Sequence, residues 1–310
     1  LLVGSTSIDG TRISNFSDYA KYPKNQVESE APKPLCVVPG ESYVYDGELM
    51  SGTSFATALA TGMVSILMKE YPKIRLNPAA LMATLTAGSV QQFGGPLRAN
   101  NFEDTAGAGL LQYHYARQAA NNVKYTDANN DMNVNDVVLE SECFGLNAGD
   151  ILTVATATLF NGGYVKYVTQ PDQWATRGGI SSVPIIGYIY LTIAHAMNAR
   201  IIRDHRDLFN DGDRHWLKFK LAYDTKNPQN SLLPPDLKVQ LQKFDDHSQK
   251  WHDVTWVQKS TSEYSNVERY VYHDGIQSGA YKYIVTIARA GKHLPGDPTP
   301  YKVAATHSIR

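Results

Sequence analysis

Ser51-Gly52-Thr53-Ser54-Phe55-Ala56-Thr57 decides how the first third of this chain is read. A small polar turn carrying a glycine runs directly into an apolar stretch of helical length, Phe55 to Met68. That stretch is apolar almost all round (Ala56, Ala58, Ala60, Gly62, Val64, Ile66, Leu67), the pattern of a buried helix. Ser54 therefore falls at a helix N-terminus, where backbone N–H groups lack intrahelical partners and the dipole favours negative charge. A tetrahedral oxyanion forming beside the Ser54 hydroxyl would be stabilised there. A serine in this position is normally just an N-cap, so its surroundings must decide between the two readings.

Working outward, residues 1–122 read as α/β. Leu1–Val3 is apolar strand material, Ile13–Ser17 alternates like a short strand, and Leu35–Val38 is a third, ended by the turn signal Pro39-Gly40. Asn77-Pro78 predicts an N-cap followed by proline at the first helical position, with a helix to about Ala87 and Gly88 as its stop. Ala106-Gly107-Ala108-Gly109 precedes a last helix over about Leu110 to Ala120. The polar stretch Asn121 to Asp136 marks the boundary, and residues 123–310 change character. Val137–Leu139, Ile151–Phe160, Gly163–Val168, Ile185–Ile193, Trp216–Leu221, Leu237–Phe244, Val254–Val257, Arg269–Tyr272 and Tyr281–Ile287 are β-rich runs. Asn210–Asp213 and Asp274-Gly275 punctuate them, and the series predicts an all-β sandwich.

The 310 residues are enough for two domains. A hydrophobic share of 43%, a charged share of 19% and a net charge of −1 describe an ordinary globular chain and point to no nucleic acid or anionic membrane. No apolar run reaches the roughly 18 residues of a membrane-spanning helix. Leu1-Leu2-Val3-Gly4 lacks every part of a signal peptide and reads as strand interior, so the chain is expected to be a piece of a longer protein. Cys36 and Cys143 fall in different predicted domains and no C-x-x-C occurs, which argues against a disulfide framework or a zinc site. Cys36 has no evident base nearby and reads as a buried hydrophobe.

Four segments, in order, resemble the C-terminal part of the catalytic domain of subtilisin-like serine proteases, the subtilases. Val3-Gly4-Ser5-Thr6 through Arg12-Ile13-Ser14-Asn15-Phe16-Ser17 is similar to the strand and "x-F-S" segment, and Val37-Val38-Pro39-Gly40 to the "x-A-P-G" turn. Ser51 to Gly62 resembles the "G-T-S-x-A-x-P-x-x-A-G" helix start, and Ala108–Leu111 the entry to the last helix. Ala58 replaces the usual proline, Leu59 the common histidine, and Thr61 a small apolar residue, which marks a divergent member.

The resemblance implies a parallel-sheet α/β fold, Ser54 as nucleophile, and the Ser54 backbone N–H as one oxyanion donor. It also implies an aspartate, a histidine and an oxyanion asparagine upstream of the serine, in the order Asp, His, Ser. Only 53 residues precede Ser54 and none is histidine; the nine histidines begin at His114, which with Tyr115 falls on the last helix. The triad therefore requires a segment upstream of this chain, which would be a partner or a missing part of the same protease. The alternative is a catalytically incomplete subtilase scaffold that binds other proteins. Protein or peptide is the implied substrate, and secretion is implied by the family.

Residues 205–290 resemble the β-sandwich that follows the catalytic domain in many secreted subtilases, a jelly-roll-like fold. Asp236-Leu237-Lys238-Val239-Gln240-Leu241 matches its "D-L-D-L-x-L" strand, with Lys238 replacing the second aspartate, and Gly279–Val285 its "G-x-Y" strand. Residues 161–204, with Tyr164, Tyr167, Trp174, Tyr188 and Tyr190, read as an insertion whose aromatics are core rather than a recognition face. No cofactor is expected. Asp127–Asp136 has oxygen side chains at calcium-loop spacing, but Met132 and Val138 stand where glycine and an acid belong. A polar turn is the preferred reading there and at Asn210–Asp213, with calcium as the metal either could take.

Overall fold

The computed structural model describes residues 2–19, 34–98, 101–128, 132–160, 235–254, 266–290 and 301–310. In chain order these form β1 (Val3–Thr6), β2 (Cys36–Pro39), a hairpin of β3 (Tyr43–Tyr45) and β4 (Glu48–Met50), helix α1 (Thr53–Glu70), a 3-10 turn at Pro72–Ile74 and helix α2 (Pro78–Ala87). Then come β5 (Ser89–Val90), β6 (Leu110–Leu111), helix α3 (Tyr113–Asn122), β7 (Lys124–Ala128), β8 (Val137–Glu140), β9 (Phe144–Leu146) and β10 (Leu152–Phe160). The last strands are β11 (Asp236–Asp245), β12 (Lys250–Asp253), β13 (Val267–Tyr272), β14 (Gly279–Arg289) and β15 (Tyr301–Ile309).

The first sheet has the order β1-β2-β6-β5, with β1, β2 and β6 parallel and β5 antiparallel to β6. The expected strand at Ile13–Ser17 is reduced to a bridge between Ile13 and Thr6. Serine hydroxyls supplement the two backbone bonds there, Ser14 N–H to the Ser5 carbonyl and Ser7 N–H to the Arg12 carbonyl: Ser17 Oγ accepts the Ser5 N–H at 2.9 Å, and Ser14 Oγ meets Ser5 Oγ at 2.8 Å. Leu110-Leu111 is likewise a strand and not the first turn of a helix, which begins at Tyr113. Gly109 explains the change: at φ +105° it brings the chain so close to Val90 that a Cβ would lie 2.2 Å from the Val90 carbonyl oxygen.

Helix α2 starts and stops where the sequence says. Asn77 Oδ1 accepts the Ala80 N–H at 3.1 Å and Pro78 needs no N–H partner in the first turn. Gly88 is needed less for its dihedrals than for room, because a Cβ there would come within 2.6–2.8 Å of Ala116 on α3. Helix α1 departs from the expectation of burial all round. Ala56, Ala60 and Leu67 are buried, whereas Ala58, Thr61, Gly62 and Ile66 are exposed. Among the described residues it packs chiefly on β1, β2, the 3-10 turn and α3, which cover one stripe and leave the residues opposite exposed.

Two antiparallel sheets follow, ordered β13-β10-β15-β7 and β12-β11-β14-β8, with β9 added to β14. Strand β15 faces both ways. Thr306 and Ser308 point to the helices, where Ser308 Oγ–H donates to the Ala87 carbonyl at 2.6 Å and Thr306 Oγ1–H to that of Ala119. His307 points to the other sheet, stacked on Phe144 at 4.2 Å and edge-on to Tyr283 at 5.6 Å. Tyr270 on β13 reaches the same way, its hydroxyl oxygen 2.9 Å from the Leu237 carbonyl oxygen. One core joins Leu35, Cys36 and Val38 through Ala60, Leu67, Leu85 and Ala116 to Ala157, Val267 and Ala304.

The strands read at Val137–Leu139, Ile151–Phe160, Leu237–Phe244, Arg269–Tyr272 and Tyr281–Ile287 are present, while β7, β9, β12 and β15, like β3, β4 and β5 earlier in the chain, are not among the strands expected from the sequence. Val254 follows β12 outside any strand. The runs at 163–168, 185–193, 216–221 and 255–257, the insertion at 161–204 and the turn at 210–213 lie outside the described residues.

Two buried groups give measurable consequences. Burial pushes the Cys36 thiol up to about 12, while Cys143 is exposed. Titration of the native protein with an aromatic disulfide should therefore show Cys143 reacting promptly and Cys36 only after unfolding; equal rates would contradict the placement of β2. Burial pushes the His307 imidazole down from 6.5 to about 4. The folded state thus prefers neutral His307, so stability is full above pH 6.5 and falls as pH drops towards 4. The loss should reach about 3 kcal/mol in urea denaturation, and His307→Phe should flatten that part of the profile. An unchanged profile in the variant would contradict it.

Candidate functional site

The site is assembled at the carboxyl ends of the parallel strands β1 and β2, where open α/β sheets bind ligands. The Gly40 N–H donates to the Thr6 carbonyl at 3.0 Å, and the Gly52 N–H donates to the Gly40 carbonyl at 2.8 Å. This double stitch ties the entry of α1 to the ends of both strands. It needs glycine at 40, since a Cβ would lie 2.4 Å from Ser5 Oγ and 2.8 Å from the Gly52 carbonyl oxygen.

Gly52 is extended, and its carbonyl accepts the N–H groups of Phe55 at 3.1 Å and Ala56 at 3.4 Å, which starts the helix. The N–H groups of Thr53 and Ser54 have no hydrogen-bond partner among the described residues. Neither is there a side-chain cap or an acidic residue in the first turn. The head of α1 therefore presents free donors and the positive end of the dipole to solvent, with the exposed Ser54 side chain among them.

The β3–β4 hairpin braces this turn. Tyr43 stacks on Phe55 with ring centroids 5.3 Å apart, and its hydroxyl donates to the Pro39 carbonyl at 3.1 Å. Ser51 Oγ accepts the Ser42 N–H at 2.9 Å. Next to Thr53 lies a groove of about 420 Å³ walled by Leu2, Val3, Phe16, Tyr19 and Pro34, with Asp18 at its margin.

The described residues bring no histidine to Ser54. His114, on α3, meets Gln118 at 3.2 Å, His273 pairs with Asp274, and His307 is buried between sheets. One cluster that the sequence did not single out has the elements of a triad, but not its geometry. Ser248 Oγ lies 3.0 Å from His252 Nε2, and Asp245 lies 3.8 Å from the same nitrogen. A general base needs its orienting carboxylate on the other ring nitrogen. Asp245 is occupied instead by the N–H groups of His247 and Ser248, which makes this a capped hairpin turn.

Among the described residues no group of three His, Cys, Asp or Glu side chains could hold a metal. In the 127–136 segment, Asp127 takes Lys302 at 3.4 Å and Asp136 accepts the Asn133 N–H at 2.7 Å; residues 129–131 lie outside the described residues. No helix among the described residues is long and apolar enough to cross a membrane.

Comparison with known proteins bears on the first part of the chain. No curated protein matches it. Among solved structures, the crystal structure of a protein from Sulfurospirillum deleyianum covers 60% of this chain and 96% of its own, at 10% identity and a TM-score of 0.25, too low to carry any argument. Residues 1–130 match the sequence model of the Subtilase family, peptidases of the S8 type. The matched stretch holds the parallel strands β1, β2 and β6, the backbone stitch at Gly40 and Gly52, and the head of α1. Residues 1–130 of this chain are thus similar to the subtilase family, a likeness that covers 130 of its 310 residues.

Proposed function

We propose that this chain is part of a subtilisin-like serine endopeptidase that cuts peptide bonds through an acyl-enzyme on Ser54. The observation that carries the reading is the head of α1, where an exposed serine sits among unbonded N–H groups at the carboxyl edge of a parallel sheet. Ser54 Oγ attacks the scissile carbonyl carbon and gives its proton to a histidine. The oxyanion accepts the Ser54 N–H and the side-chain amide of an asparagine. The proton passes to the departing amine, and water then hydrolyses the ester by the same path in reverse.

The aspartate, histidine and asparagine come from a segment upstream of this chain. The open face of α1, with Ile66 exposed, is consistent with such a neighbour. The two antiparallel sheets are read as a jelly-roll-like sandwich that supports the catalytic part, in a protein that works outside the cell on protein or peptide substrates.

A second reading, a catalytically incomplete scaffold that binds other proteins, draws on the absence of any base beside Ser54 among the described residues. Peptide hydrolysis by the full-length protein and its Ser54→Ala variant separates the two. The proposal expects a loss on the order of a millionfold in kcat. Equal turnover in both proteins would remove Ser54 from the reaction, and no turnover in either would favour the scaffold.

A further inference from the structure

A charged corner lies on the helix-facing side of the second sheet, away from Ser54. Arg269 on β13 stands opposite Ala155, which packs with Ala87 and Ala119 of α2 and α3, so its side chain enters the seam between sheet and helices. It is fully buried. Its Nη2–H donates to the Ser89 carbonyl at 3.3 Å, but Nε and Nη1 have no partner among the described residues. Arg310 follows β15; its Nη2–H donates to Thr153 Oγ1 at 3.3 Å, and its Nε is buried without a partner among the same residues. Thr153 is two residues from Ala155 on the same face of β10, hence diagonal to Arg269, and the two guanidinium groups share one corner.

The charges there do not balance. Burial, and after it the charge of Arg310, push the Arg269 guanidinium down to about 9, with Glu103 opposing them. The acidic group facing Arg269 is Glu103, itself 3% exposed, and burial raises its carboxyl above the ordinary range. Its Oε2 also lacks a partner among the described residues. Glu268, the next carboxylate on β13, points to the other sheet, where the Tyr270 hydroxyl donates to it. The loop side is fixed by Asn101, whose Nδ2–H donates to the Arg269 carbonyl at 2.7 Å. Among the described residues two cations stand against one carboxyl that burial discourages from ionising, which leaves surplus positive charge around the fully buried Arg269 and the partly buried Arg310, an arrangement that is costly without a counter-charge. A water molecule could accept from the free N–H groups but would not offset that charge.

We infer that this corner binds a small monovalent anion of chloride size, held by Arg269 Nε and Nη1 and by Arg310 Nε. Such an ion would tie β13 and β15 to the loop before α3. The test is thermal unfolding of the full-length protein as chloride replaces gluconate at constant ionic strength. Tm should rise and saturate, by roughly 2–4 °C, and both Arg269→Met and Arg310→Gln should abolish the rise. Crystals of the unaltered protein grown in bromide should show anomalous scattering at the corner, whatever the variants do. A Tm indifferent to chloride, a rise kept in both variants, or water in place of bromide would overturn the inference.

Discussion

The fold depends on one strand that serves two layers. β15 lies inside its sheet, between β10 and β7, and its two-residue period sends alternate side chains to opposite faces. On one face the Ser308 and Thr306 hydroxyls cap the carbonyls of Ala87 and Ala119 in the last turns of α2 and α3, groups for which a helix end has no internal partner. On the other face His307 fills the space between Phe144 and Tyr283. α3 in turn contacts α1, which carries Ser54. The helical segment and the antiparallel sheets thereby share a core, with no water layer needed between them.

At the opposite edge the constraint is the backbone itself. Gly40 lets two strand ends and a helix start approach within hydrogen-bond distance, and the Gly52 N–H bonded to the Gly40 carbonyl anchors the turn that leads into Thr53 and Ser54. Preorganised donors of this kind stabilise a developing oxyanion without reorganising during the reaction. They do nothing to activate the hydroxyl, which requires a base within hydrogen-bond reach. Under the proposed function the described site would supply the electrostatic half of acyl transfer, and a separate segment the proton-transfer half.

Much of this was legible where local chemistry dictates structure. Asn77-Pro78 has one good interpretation, a capped helix start, and strands β11 and β14 alternate strictly because each has one buried face. β15 was missed because Ala304, Ala305, Thr306 and Ser308 are small and buried on both faces, so the sequence carries no apolar–polar alternation. β7 hid in a polar stretch because Tyr125 and Asp127 face solvent while its pairing with β15 is set by backbone alone. Leu110-Leu111 looked helical because what makes it a strand is the close backbone approach that the preceding Gly109 permits. The all-round apolar pattern of α1 describes a helix with neighbours on every side, and the described residues supply one side. The surplus charge at Arg269 and Arg310 had no sequence signal, since the two meet only through strand register.

The central claim is that the hydroxyl at the head of α1 is the nucleophile. Treating peptide-cleaving preparations of the full-length protein with a fluorophosphonate and mapping the adduct by peptide mass spectrometry tests it most directly. The account predicts a single phosphonylated residue, Ser54, formed in step with loss of activity. Inactivation with the adduct on another side chain, or full labelling of Ser54 with peptide cleavage undiminished, would contradict it.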